Sequence, residues 1–169
     1  MILRAETEQD FAVIYGVVEA AFGRPWEAQL VDRLRALPGF DPRLSLVAEA
    51  AGRIVGQVLF TPIRIRGASN DAPAVALAPV AVHPDHQRKG VGSALIRRGL
   101  EICRQVGHSV VIVLGEPAYY SRFDFVTASR FGVLAPFPAP DEAFMLIAFE
   151  PKAVLAGTVE YPPPFAEPE

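Results

Sequence analysis

Apolar positions recur with two different periods along this chain. Ile2, Leu3 and Ala5 mark a short first strand over 2–5. Thr7 suits an N-cap, with Glu8 and Asp10 in a first helical turn. Phe11, Ile14, Tyr15 and Val18 then recur at helix spacing. Gly23 and Pro25 interrupt, and Trp26, Leu30, Leu34 and Leu37 share one face of a second helix over 25–37, closed by Pro38-Gly39. From there the period drops to that of strands. Runs at 44–50, 54–65 and 75–82 are joined by Ala51-Gly52 and by the turn residues 67–71. Such short connections predict an antiparallel meander. The third run is apolar on both faces, which predicts a central, buried strand.

After residue 90 the helical period returns. Val91, Ala94, Leu95, Ile102, Cys103 and Val106 form an apolar face against Arg97, Arg98, Glu101, Arg104 and Gln105. Gly107 suits the helix end, and 110–114 is a five-residue apolar strand. Strand, glycine loop, helix and strand make one crossover, which predicts a parallel pair at mid-sheet. A short helix near 118–122 and strands near 130–134 and 143–149, around a Pro-rich turn, complete the pattern. The segment 150–169 reads as a Pro-rich tail, irregular from Tyr161 on. No repeat or low-complexity linker divides the chain, so 1–169 reads as a single domain. The run at 143–149 carries Phe144, Leu146, Ile147 and Phe149. A strand so late is expected at a sheet edge, where pairing with a second copy gives a homodimer. In the alternative the tail packs back over its own sheet and leaves a monomer.

Composition narrows the class. A chain of 169 residues fits one domain of about 150 and buries roughly 70% of its unfolded surface without staples. With 51% hydrophobic and 21% charged residues it is not largely disordered. A net charge of −3 argues against a general nucleic-acid binder, and a single cysteine, Cys103, excludes an intrachain disulfide. No apolar run approaches membrane-spanning length, and the start lacks a signal-peptide apolar region. The expectation is one soluble, cytoplasmic α/β or α+β domain with no nucleic-acid or membrane partner.

Against this acidic background one stretch is basic. From His83 to Arg98, four positive charges (Arg88, Lys89, Arg97, Arg98) stand against Asp85, a local +3. The stretch leads from the buried strand through Gln87-Arg88-Lys89-Gly90-Val91-Gly92-Ser93 into a helix N-terminus. Such a turn leaves backbone N–H groups unpaired at the positive end of a helix dipole, where a phosphate or pyrophosphate binds. Gly90 and Gly92 put no Cβ between backbone and anion. The loop is not a P-loop, because no Gly-Lys pair occurs in the chain. It is not a dinucleotide fingerprint either: Leu95 stands where a third small residue is needed. His83, Asp85 and His86 crowd one turn with poor metal-ligand geometry. Cys103 lies on an apolar face, unsuited to a nucleophile, and no serine sits in Gly-x-Ser-x-Gly.

Gln87-x-x-Gly90-x-Gly92 between a fourth strand and a long helix resembles the acyl-CoA pyrophosphate loop of the GNAT superfamily of N-acetyltransferases. Leu77-x-x-x-Ala81-Val82-x-Pro84 is similar to that family's fourth strand. Tyr119-Tyr120-Ser121-Arg122-Phe123-Asp124-Phe125 resembles its "(F/Y)-Y-x-(K/R)-x-G-F" signature, with Asp124 in place of the glycine. Tyr161-Pro162-Pro163 matches the tails of a bacterial subgroup of these acetyltransferases. The order of elements along most of the chain is also the family's.

The resemblance implies a mixed, mostly antiparallel seven-stranded sheet, splayed at mid-sheet and flanked by about four helices. It implies acetyl transfer from acetyl-CoA to a primary amine, on a small molecule or a peptide, by direct attack in a ternary complex. Gln87, Arg88, Lys89, Gly90, Val91, Gly92 and Ser93 would hold the pyrophosphate. Backbone groups of Val80, Ala81 and Val82 would meet the pantetheine arm, beside Pro79, which alone would suggest an edge strand. Tyr120 takes the family's general-acid position, with Tyr119 as the packing tyrosine; Arg122 reads as a surface or CoA-phosphate contact. Glu116, Glu49, His83 or water are open candidates for the base. Two rival readings keep the fold without the chemistry: a non-catalytic acyl-CoA sensor, and an interaction module that binds no CoA.

Overall fold

The computed structural model describes residues 1–166, and its chain divides into two compact units. The first comprises Met1–Thr61, Ala78–Ile102 and residues 164–166; the second comprises Pro62–Leu77 and Cys103–Pro163. Residues 167–169, the end of the expected tail, lie outside the described residues.

Strands β1 (Ile2–Ala5), β2 (Ser45–Ala50), β3 (Arg53–Arg66) and β4 (Asp71–Val82) follow one another in the order β1-β2-β3-β4, with β1–β2 and β2–β3 antiparallel; β1, β2, β3 up to Thr61 and β4 from Ala78 belong to the first unit. This is the expected meander. Two helices, α1 (Phe11–Phe22) and α2 (Trp26–Arg35), bury Ile14, Val18, Leu30, Val31 and Leu34 against Val47, Leu59 and Ala81. Gly23 ends α1 at φ 70. Helix α3 (Val91–Gln105) has the expected bounds, but its buried stripe is Val91, Leu95, Ile96, Leu100 and Cys103. Ile96 and Leu100 belong to it, while Ala94, Ile102 and Val106 are half-buried.

Ion pairs tie these elements together over long sequence separations. Arg35 donates from Nε and Nη2 to the two carboxylate oxygens of buried Glu6, both at 2.8 Å, while its guanidinium lies 3.9 Å from the centre of the Phe11 ring. The planar fork fits a carboxylate in two parallel bonds, which lysine cannot reproduce. Arg4 donates to Asp10 Oδ2 at 2.7 Å and to Glu49 Oε1 at 2.6 Å. Asp10 also accepts the Thr7 N–H at 2.7 Å, a reach-back to the expected N-cap residue that the sequence reading did not include. The Arg4 hydrogen bond, with smaller help from Thr7, lowers the Asp10 pKa to about 2.

A depressed carboxylate pKa adds stability above the unfolded value of about 3.8, lost as the pH falls through about 2. With Arg4 one-third exposed, screening leaves on the order of 1–2 kcal/mol. Asp10→Asn should therefore melt below the wild type at pH 7, and the gap should close by pH 2. A gap that persists unchanged at pH 2 contradicts this account of the pair.

In the second unit, the start of β4 pairs in parallel with β5 (Val110–Leu114) at only two positions, Val75↔Val111 and Ala76↔Ile112. That brevity is the lapse in pairing expected at mid-sheet. Strand β5 pairs antiparallel along its whole length with β8 (Phe144–Ala148), and β8 pairs on its other side with β6 (Val126–Thr127). The strand expected near 130–134 is a 3-10 turn over Ala128–Phe131 followed by the two-residue β7 (Val133–Leu134). Strand β9 (Gly157–Glu160) lies inside the segment read as tail and pairs with the end of β3 and with β7. Strand β8 is thus neither last nor at an edge: its residues 144–147 are buried between two neighbours. The edge on which the homodimer expectation rested is absent. Counted by ladder the sheet is mixed and mostly antiparallel, but it has nine strands among the described residues rather than the expected seven, because the short β6 and β9 add to it; four α-helices are present among the same residues.

Candidate functional site

The basic loop belongs to the first unit. Strand β4 ends at Val82, and His83 N–H donates to Val55 O at 2.8 Å, which fixes where the loop leaves the sheet. A 3-10 turn, Pro84–His86, follows, and Ala94 N–H donates to Gly90 O at 3.0 Å to start the helical ladder of α3. The N–H groups of Arg88, Lys89, Gly90, Val91 and Gly92 donate to nothing among the described residues. They stand at the N-terminus of a fifteen-residue helix, where partial positive charge accumulates. This is the array expected of an anion site.

The side chains of the loop divide the work. Gln87 Nε2 donates to Val82 O at 2.9 Å, and Lys89 Nζ donates to Asp85 O at 3.2 Å. Both fold the loop onto itself. Arg88 is exposed, and its guanidinium has no partner among the described residues. Its backbone is left-handed at φ 62, and Gly90 follows at φ 84. A side chain at such a φ costs about 1–3 kcal/mol and clusters at ligand sites. Val80 and Val82 are half-buried and Ala81 is buried; Val91 is buried, and Gly92 and Ser93 are half-buried.

Tyr120 belongs to the second unit. Glu116 O accepts the N–H groups of both Tyr119 and Tyr120, which closes the single turn α4 (Pro117–Tyr120) behind Pro117. Tyr120 is 8% exposed, whereas Tyr119 is half-buried, so the packing roles expected of the two tyrosines are exchanged. The reason is Gly115. Any Cβ there would stand 2.4 Å from Cε2 of the Tyr120 ring, so only a glycine admits the ring. Phe125 meets it edge-on at 5.7 Å and Tyr119 at 5.0 Å. Burial, then the neighbouring Tyr119, pushes the Tyr120 phenol up to about 12. Its hydroxyl makes no hydrogen bond among the described residues. Asp124, at the position of the signature glycine, takes φ 74 and donates its N–H to Ser121 O at 3.1 Å, so the turn stays tight. Aspartate is among the residues that tolerate this conformation. Arg122 stacks over Tyr119 at 4.9 Å.

The candidate bases differ in how far their acceptor atoms are already engaged. Glu49 is held by Arg4. His83 Nδ1 accepts the Asp85 N–H at 3.2 Å, which leaves Nε2 to carry the proton of a neutral ring. Glu116 is exposed, and its carboxylate accepts no hydrogen bond among the described residues. Among these residues no three His, Cys, Asp or Glu side chains cluster to hold a metal ion, and no helix is long and apolar enough to cross a membrane.

The family model for the acetyltransferase (GNAT) domain matches residues 3–128. The chain belongs to the GNAT acetyltransferase family. Membership makes this GNAT protein an acetyltransferase. It is 40% identical over 136 residues to the uncharacterized N-acetyltransferase YjhQ of Escherichia coli K12, covering 80% of this chain and 75% of that one. To the uncharacterized N-acetyltransferase YhbS of the same strain it is 33% identical over 163 residues, covering 95% and 96%. The crystal structure of E. coli YhbS in complex with CoA superposes with a TM-score of 0.87 at 31% identity, over 97% of this chain and 91% of that one. A Brucella melitensis GNAT acetyltransferase in complex with acetyl-CoA gives 0.80 at 35%, over 98% and 97%.

Two features of this GNAT protein escape a reading of its sequence. The left-handed Arg88 carries no signal, because arginine is not a residue chosen for that conformation. Gly115 looks like any strand-end glycine until the ring packed on it is seen.

Proposed function

We propose that this chain moves an acetyl group from acetyl-CoA to a primary amine by direct attack in a ternary complex, with 1–169 acting as one catalytic domain. The observation that carries this reading is the run of unpaired N–H groups at the start of α3, in a chain alike over nearly its whole length to acetyltransferases crystallised with CoA and acetyl-CoA. Within the loop 87–93, the backbone amides of residues 88–92 take the pyrophosphate, with the Arg88 guanidinium as the side-chain counter-charge and Gln87 bracing the loop on Val82 O. The backbone of Val80, Ala81 and Val82 meets the pantetheine arm, and an N–H there stabilises the oxyanion.

The amine nitrogen attacks the thioester carbonyl, and the tetrahedral intermediate collapses with cleavage of the C–S bond. Tyr120 donates its phenolic proton to the departing sulfur. A phenol held at about 12 is a weak acid beside a thiol of about 8.5, so the phenolate is not a resting product. Tyr120 regains a proton as the attacking nitrogen loses one, and the net transfer is from amine to sulfur. Glu116, whose carboxylate is unengaged, receives the amine proton and passes it through water to the Tyr120 phenolate, so both residues end in their starting states. The acceptor is a small-molecule or peptide amine.

Titration calorimetry with CoA tests the reading. Saturable one-to-one binding is expected. No binding would favour an interaction module on the same fold, and binding without acetyl-CoA turnover on any amine would favour a sensor.

A further inference from the structure

The ring of Tyr120 lies where the end of β5 gives way to α4, and Gly115 and three aromatic rings pack on it. Cε2 of the ring is 2.4 Å and Cδ2 2.9 Å from the position a Cβ at Gly115 would occupy. Phe125 stands at 5.7 Å, Phe123 at 6.3 Å and Tyr119 at 5.0 Å, ring centre to ring centre. Real Cβ atoms do not approach an aromatic carbon so closely, so any side chain at 115 displaces the ring. The ring cannot yield without pushing Phe125 or Phe123, both buried. Gly115 is not at a positive φ, so neither the backbone conformation nor a turn requires a glycine there. The requirement comes from the tyrosine alone.

We infer that Gly115 is a positioning residue for the reaction: the missing side chain at 115 sets where the Tyr120 hydroxyl stands. The inference rests on the reading of Tyr120 as the proton donor. A displacement of about 1 Å in a group aimed at a reacting atom costs on the order of 100-fold in rate. Gly115→Ala forces a shift of about that size, because the 2.4 Å approach must open to ordinary contact.

The test is a cycle of four proteins: wild type, Gly115→Ala, Tyr120→Phe and the double variant, each assayed for kcat, KM for acetyl-CoA and calorimetric CoA affinity. Gly115→Ala should lower kcat by about 10- to 100-fold with CoA affinity within about twofold of wild type. In the Tyr120→Phe background the same substitution should change kcat by less than about threefold, because the hydroxyl it misplaces is already gone. Tyrosines labelled at ring carbon ζ add a signal independent of turnover: the Tyr120 resonance, identified by its loss in Tyr120→Phe, should move in Gly115→Ala. Wild-type kcat in Gly115→Ala, an equal loss in both backgrounds, or an unmoved resonance would overturn the inference. If Gly115→Ala does not fold, the cycle is run with Phe125→Leu in all four proteins, which opens room beside the ring, and the same outcomes decide. Failure of the underlying reading looks different: Tyr120→Phe alone would then leave kcat unchanged.

Discussion

Tyr120→Phe is expected to lower kcat by about 10- to 1,000-fold with little change in CoA affinity, within or near the usual range for loss of a general acid. The substitution keeps the ring that packs on Gly115 and Phe125, so packing and stability change little. It removes one oxygen that makes no hydrogen bond among the described residues, so no protein partner is orphaned. The loss should appear in kcat and in kcat/KM alike, because the hydroxyl acts as the C–S bond breaks. Tyr120 keeps its proton until about pH 12, so any ionisation that limits the wild-type rate between pH 6 and 10 must survive in the variant. The same raised pKa makes stability fall as the pH rises from 10 towards 12, where unfolded tyrosines ionise first. An unchanged kcat, with chemistry shown to be rate-limiting, would mean that water protonates the thiolate.

Gly90→Val is expected to weaken CoA binding by about 100-fold or more. Two charge-assisted hydrogen bonds from the loop amides, at about 1.5 kcal/mol each, account for that factor. The cause is not crowding by the protein, since nothing lies within 4 Å of a Cβ built at Gly90. Valine resists a φ of 84 and so re-sets the loop, and its branches stand where an anion would sit. The backbone penalty is about 1–2 kcal/mol, a loss of several degrees in Tm, which a domain of this size survives. A folded variant that binds CoA as tightly as the wild type would remove residues 87–92 from the cofactor site.

What the sequence made legible was whatever its own periodicity encodes. The meander of β2, β3 and β4, the bounds of α3 and the glycine loop between them follow from apolar period and turn residues over stretches of five residues or more. Strands β6 and β9 did not follow: β6 is two residues long, and β9 carries one large apolar residue, Val159, among Gly157, Thr158 and Glu160, whereas Ile2 and Leu3 mark β1 at the same length. Both β6 and β9 are strands only because β8 and β3 offer them partners. Strand β8 was misplaced at an edge for the same reason, since the neighbour that covers it is the two-residue β6. The Arg35–Glu6 and Arg4–Glu49 pairs join residues 29 and 45 apart, a distance no local pattern spans. At the candidate site, the loop was legible as chemistry, whereas the division between Tyr119 and Tyr120 was not. Adjacent tyrosines look alike in sequence, and Gly115, five residues upstream, decides between them. Asp124 shows the converse case: a departure from the family pattern that leaves the turn unchanged, because aspartate adopts φ 74.

Catalytic acetyl transfer to a primary amine is open to a direct turnover measurement. The protein is incubated with acetyl-CoA and a panel of primary amines, including small polyamines, amino-acid amides and peptides with free N-termini. Free CoA thiol is followed with a chromogenic disulfide, and products are examined by mass spectrometry; buried Cys103 contributes little to the thiol signal. The account predicts thiol release dependent on one class of amine, matched mole for mole by an amine carrying one added acetyl group, and lowered in Tyr120→Phe. Tight CoA binding with no thiol release above background for any amine would contradict it.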